Sequence, residues 1–293
     1  MAEAYTRYAV VTGANKGIGL GTVHQLASHG ITVILTARNE QRGLEALRKI
    51  KQLELKGEVI FHQLDVADKD SVNHFSDFIK NTVGRLDILV NNAGVLSGKP
   101  LDVNKFRDAL KNYKSETNNW KEAFDENSEV MEECFNINYY GIKRMCQAMI
   151  PFLRQSDFPT IVNVSSFGGM LQYVIEERAK RVLSNIEELS EDKVDELLRD
   201  CLQSSRMGGP IWCRGMNGYG ISKAAVNAYT RILSKEYPCI RINAVCPGYV
   251  VTDITCNSGV LSVEEGAESI VNLALSCNSS SGKFFCRKEE SSF

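Results

Sequence analysis

The chain has 293 residues, 43% of them hydrophobic and 24% charged, with a formal net charge of −2. That balance is ordinary for a globular protein and leaves no electrostatic footprint for nucleic acid or an anionic membrane surface. No apolar stretch reaches the roughly 18–20 residues of a membrane span, no basic, apolar leader opens the chain, and nine cysteines without a Cys-x-x-Cys pair and four scattered histidines make no metal-ligating pattern.

The expectation is therefore a cytoplasmic, metal-free protein with reduced thiols. Short apolar runs at residues 8–12, 32–36, 59–63, 87–91, 160–164 and 241–246 are continuous and rich in β-branched residues. They read as strands of a parallel sheet covered on both faces. Helical patterns lie between them, at 19–29 (Leu20, Val23, Ala27) and 71–83 (Val72, Phe75, Phe78, Ile79). Alternating strands and helices predict a doubly wound α/β fold of the Rossmann kind. No linker or repeat divides the chain, so 1–293 reads as one domain. Two stretches break the alternation. Residues 97–129 are polar and weakly patterned. Residues from about 170 to 212 read as a helical insertion, in which Ser190 caps a helix with Val194, Leu197, Leu198, Cys201 and Leu202 on one face.

After the first strand comes Gly13-Ala14-Asn15-Lys16-Gly17-Ile18-Gly19. A glycine turn between strand and helix lets backbone N–H groups and the helix N-terminus approach a pyrophosphate. The second strand ends at Ala37-Arg38, where an acid would bond the ribose 2′-OH of NAD. Arg38 instead suits a 2′-phosphate, with Lys16 and Arg42 adding positive charge; Arg42 reads equally well as a solvated surface residue. NADPH is the expected cofactor. Further along, Tyr219 and Lys223 stand at i and i+4, so on a helix they share a face. An ammonium near the phenol lowers its pKa from about 10 and fits it for proton transfer. Ser165 and Ser166 end the fifth strand, where ligands of parallel sheets bind.

Taken with Asn91-Asn92-Ala93-Gly94, Asn138 and Pro247-Gly248, these motifs run in one order across nearly the whole chain. The sequence resembles the short-chain dehydrogenase/reductase family, with the glycine turn in that family's Gly-x-x-x-Gly-x-Gly spacing. The resemblance implies a catalytic set of Asn138, Ser166, Tyr219 and Lys223. Ser166 would bond the substrate oxygen, and Asn138 would hold a water that passes protons to Lys223, though a packing amide is the alternative. It also implies that Asp65 and Val66 meet the adenine, Asp65 being equally readable as a helix-start residue. Asn91, Ala93 and Gly94 would border the ribose. Pro247, Gly248, Val250 and Thr252 would close over the nicotinamide end, Val250 through its backbone and Thr252 through its hydroxyl.

Ser166 and Tyr219 are 53 positions apart, far more than in ordinary members. The excess resembles monomeric carbonyl reductases and the plant group of salutaridine and menthone reductases. It implies a monomer, because the insertion covers a helix that often packs on another subunit. The expected function is NADPH-dependent reduction of a ketone or aldehyde on a small apolar substrate, with Phe167, Tyr173, Trp212 and Met216 as candidates for an apolar wall or for core. Reduction of a conjugated C=C bond and a non-catalytic nucleotide sensor are the alternatives.

Overall fold

The structure is a computed structural model describing residues 6–113, 120–276 and 280–293. Its first half alternates strictly: β1 (Tyr8–Val11), α1 (Gly17–Ser28), β2 (Thr32–Ala37), α2 (Glu40–Ile50), β3 (Val59–Gln63), α3 (Lys69–Thr82) and β4 (Ile88–Asn91). An excursion follows, with β5 (Lys99–Pro100), α4 (Val103–Lys111), α5 (Trp120–Ala123), β6 (Phe124–Asp125) and α6 (Ser128–Phe135). A π-helical turn (Asn136–Tyr140) leads into α7 (Gly141–Leu153) and β7 (Thr160–Val164). Then come α8 (Glu177–Ser184), α9 (Glu191–Arg206), α10 (Asn217–Glu236), β8 (Arg241–Cys246), α11 (Val263–Leu275), β9 (Phe284–Cys286) and β10 (Glu289–Ser291).

Eight strands form one sheet in the order β10-β9-β8-β7-β4-β1-β2-β3, and β5 pairs with β6 apart from it. All pairs of the large sheet are parallel except β10 on β9. Side chains alternate across it as the pleat requires. Val10, Ile34, Leu89, Ile161 and Ile242 enter one core layer; Val11, Leu35, Val90, Val162 and Val245 enter the other. The chain runs outward from β1 through β2 to β3, then restarts at β4 on the other side of β1. This reversal opens a crevice at the C-terminal ends of β1 and β4.

The six expected strands are present within a residue or so of their expected limits. The β9–β10 hairpin and the β5–β6 ladder were not expected. In residues 97–129, α4 and α6 start at side-chain caps: Asp102 accepts from Asn104 and Lys105, and Asn127 accepts from Glu129 and Val130. The expected insertion is a closed unit. A bridge between Val174 and Cys213 joins its ends, and Ser190 caps α9 through the Lys193 N–H. Val194, Leu197, Leu198 and Cys201 are buried.

Candidate active site

A cleft of about 820 Å³ runs along the C-terminal ends of the strands. At one end lies the glycine turn. Gly13 has φ +61°, and a Cβ there would sit 2.9 Å from Ala93 Cα; one on Gly19 would sit 2.5 Å from Asn92 Nδ2. Glycine is therefore required for the turn to touch the loop after β4. Thr12 and Asn92 sew the two together. Thr12 Oγ1 accepts from the Asn92 and Ala93 N–H groups, both at 3.0 Å, and Asn92 Nδ2 donates to Thr12 O and Gly13 O.

Gly13, Asn15, Lys16, Gly17, Ile18 and Gly19 all line the cleft, as do Arg38, Arg42, Asp65, Val66, Ala93 and Gly94. Arg38 and Arg42 are exposed and make no ion pair among the described residues, whereas Lys16 is paired with Asp253 at 2.5 Å. Asp65 does not start a helix; Asp68 caps α3 instead. One Asp65 oxygen accepts from Ala67 N–H. The Val66 carbonyl accepts from Arg144, and its N–H has no protein partner among the described residues.

Asn91 is a correction to the sequence reading. It is buried, does not line the cleft, and donates through Nδ2 to Asn163 Oδ1 at 2.8 Å. Its side chain ties β4 to β7 inside the sheet, and its neighbour Asn92 faces the cleft. Asn138 is likewise fully buried. Its amide staples the π turn to the loop after β4, accepting from Val95 N–H at 2.8 Å and donating to Val95 O and Ser222 Oγ. The side chain thus works as the packing amide weighed above. It still reaches the reacting centre, since a Cβ on Gly94 would lie 3.3 Å from Asn138 Oδ1 and 3.4 Å from Lys223 Nζ.

Ser166, Tyr219 and Lys223 meet at the middle of the cleft. Ser166 lies two residues past the end of β7, and its side chain acts on the Tyr219 phenol, opposing the rise in its pKa. Ser165, by contrast, donates inward to the Lys223 carbonyl. Lys223 donates from Nζ to Val164 O at 2.9 Å, and its Nζ stands 5.7 Å from the Tyr219 ring centroid. Burial brings the Lys223 pKa down to about 8. The Tyr219 phenol runs opposite to the sequence expectation. Burial pushes its pKa above the ordinary value, the Ser166 hydrogen bond opposes the shift, and the Lys223 ammonium is not among the groups that move it. Desolvation dominates, and the ammonium is turned to the Val164 carbonyl. The phenol is thus protonated at neutral pH.

Pro247, Gly248, Val250 and Thr252 form the far wall. Val250 O accepts from Thr255 Oγ1 at 2.8 Å, while the Val250 N–H has no protein acceptor among the described residues. Of the four wall candidates, Phe167 and Met216 line the cleft and Tyr173 and Trp212 do not. Both of the latter are buried at the neck of the insertion, where the Trp212 carbonyl accepts from Ile175 and Glu176. The remaining lining includes Leu96, Leu110 and Tyr113, which the sequence reading did not single out. Tyr113 meets Phe167 edge to face and has Tyr173 behind it.

The short chain dehydrogenase family pattern matches residues 7–177, and that of the enoyl-(acyl carrier protein) reductases matches 200–275. The chain belongs to the short-chain dehydrogenase/reductase family. It is similar to (+)-neomenthol dehydrogenase of Arabidopsis thaliana, 49% identical over the full length of both chains. Salutaridine reductase from Papaver somniferum superposes with a TM-score of 0.88 at 40% identity, covering 95% of this chain and 99% of that one. Menthone neomenthol reductase from Mentha piperita superposes with a TM-score of 0.86 at 43% identity, covering 98% and 100%. The protein is thus a short-chain oxidoreductase with relatives among plant terpenoid and alkaloid ketone reductases.

Proposed function

We propose that this short-chain reductase uses NADPH to reduce a ketone or aldehyde on a small apolar molecule to the alcohol. The observation that carries the reading is the meeting of Ser166 and a protonated Tyr219 beside Lys223, at the foot of a pocket walled by Leu96, Leu110, Tyr113, Phe167 and Met216. The cleft fits the cofactor. Its glycine turn is a cradle that a Cβ would fill; Arg38 and Arg42 make no ion pair among the described residues and can meet a 2′-phosphate, and the Val66 and Val250 N–H groups have no protein acceptor among the described residues and can bond ring substituents. NADPH supplies the hydride when bound. The protein does the rest. Ser166 holds the carbonyl oxygen, and Tyr219 gives that oxygen its proton as negative charge develops there. Lys223 then sits beside a nascent phenolate and stabilises it electrostatically. The apolar wall excludes water and sets which face of the carbonyl is presented.

The test is turnover of NADPH with menthone and a panel of other cyclic ketones, enones and aldehydes, with products identified. Alcohol formation, with NADPH strongly preferred to NADH, is expected. Tight NADPH binding with no carbonyl turned over refutes the reading in favour of a nucleotide sensor. A saturated ketone from an enone supports C=C reduction instead.

A further inference from the structure

Tyr219 occupies only the third position of α10, and the chain around it is Gly215-Met216-Asn217-Gly218-Tyr219-Gly220. Three glycines in six residues, two of them in the first turn of the helix, make a start that frays by itself, since glycine is a poor helix former. Met216, the N-cap, brings no side-chain acceptor for the first free N–H groups. Those groups are bonded from far away in the chain. Glu126 Oε1 accepts from Gly218 N–H at 2.7 Å, and Ser97 Oγ accepts from Tyr219 N–H itself at 2.8 Å. Burial raises the Glu126 pKa, and the Ser97 hydroxyl and the Gly218 and Asn217 N–H groups beside the carboxylate oppose that rise. The fit is close, as a Cβ on Gly218 would lie 2.9 Å from Ser97 Cβ and 3.0 Å from Glu126 Oε1. The β5–β6 ladder holds Ser97 and Glu126 together, pairing Lys99 with Asp125 and Pro100 with Phe124. Ser97 is fully buried, and neither residue lines the cleft.

We propose that Glu126 and Ser97 are positioning residues for the reaction, replacing the missing cap of the catalytic helix and fixing where the Tyr219 hydroxyl meets the substrate oxygen. This rests on the reading of Tyr219 as the proton donor. Neither residue lines the cleft, so loss of the pair acts on the placement of Tyr219 and hence on the chemical step. A displaced proton donor of this kind costs rate steeply, an ångström being worth up to about a hundredfold.

The test measures kcat and KM for menthone with NADPH, and the NADPH Kd by fluorescence titration. It uses the full chain and its Glu126→Ala, Glu126→Gln, Ser97→Ala and Tyr219→Phe variants. Glu126→Ala is expected to lower kcat about tenfold or more, with KM within about threefold and the NADPH Kd within about twofold of the parent. Glu126→Gln keeps an acceptor for one N–H and is expected to recover most of the loss. Ser97→Ala, which removes the bond to Tyr219 N–H, is expected to lower kcat about fivefold. Parent-like kcat in Glu126→Ala overturns the proposal, and so does a fall in NADPH affinity that parallels the fall in kcat. If Glu126→Ala does not fold, Glu126→Gln and Ser97→Ala decide: parent-like kcat in both overturns it. Tyr219→Phe separates the two readings. If that variant turns over like the parent, the proton-donor role fails. If it is inactive while Glu126→Ala is unaffected, only the positioning role fails.

Discussion

Lys223 carries a conflict between stability and function. Its ammonium is buried and donates to the Val164 carbonyl, and its pKa falls from 10.5 to about 8. Between those two values the unfolded chain keeps a proton that the folded chain has released, so folding stability from this group rises with pH from about 8 to 10.5. Below pH 8 the full cost of the buried charge is present. Lys223→Met is expected to abolish turnover and to stabilise the fold at pH 7 by about 2 kcal/mol, after allowing for the Val164 carbonyl left without its donor. Denaturant melts at pH 7 and pH 10 check this, with the gain shrinking at the higher pH. A variant no more stable than the parent at pH 7 contradicts it. Arg38 has no such conflict, being exposed and unpaired among the described residues. Arg38→Ala is expected to raise the KM for NADPH on the order of tenfold, while leaving that for NADH nearly unchanged. Equal effects on the two cofactors would refute 2′-phosphate recognition by this residue.

Elements differ in how plainly the sequence announces them, and the difference follows burial. The core strands bury both faces, so their apolar runs are unbroken. The hairpin of β9 and β10 is three residues a side at the sheet edge, with Glu289 and Glu290 exposed, and carries no period to detect. In α4 only Phe106 and Ala109 are buried, too few to make a stripe. Motif positions in the site were legible for the same reason that glycines are: backbone approach admits nothing else. Side-chain direction was not. Asn91 and Asn92 are identical neighbours, yet the first closes a gap within the sheet and the second secures the glycine turn. Tyr173, Trp212 and Tyr113 are all aromatic and buried, and only the last reaches the cleft. Within the insertion, Ser190 read correctly because a cap and an apolar stripe are both local. Ser190→Ala is expected to cost about 1 kcal/mol of stability, read as a lower denaturation midpoint, with kinetic constants unchanged. A loss of activity larger than the loss of stability would give α9 a part in the chemistry that its position does not suggest.

At the scale of the whole molecule, the question is what covers the catalytic helix. Nearly every residue of α10 from Asn217 to Leu233 is buried within its own chain. Helices α6, α8 and α9 all pack on it. Their seating is polar as well as apolar. Lys143 on α7 pairs with Glu191 and Asp195 of α9, Arg178 joins α8 to Glu196 and Asp200, and Arg206 reaches Glu132 on α6. Arg231 and Lys235 of α10 donate to the Leu183 and Ile186 carbonyls in the insertion. A face so occupied has little apolar surface left to offer a second copy, and a stable dimer buries roughly 800 Å² on each partner. The expectation is a monomer, giving one species near 32.6 kDa in sedimentation velocity across micromolar concentrations. Leu198→Asp tests the cause. A carboxylate in that buried position unseats α9 and uncovers α10, so the variant should be less stable by several kcal/mol and should self-associate. A parent chain that sediments as a dimer or tetramer refutes the expectation. A Leu198→Asp variant that stays monomeric at full stability shows that α9 is not what keeps the copies apart.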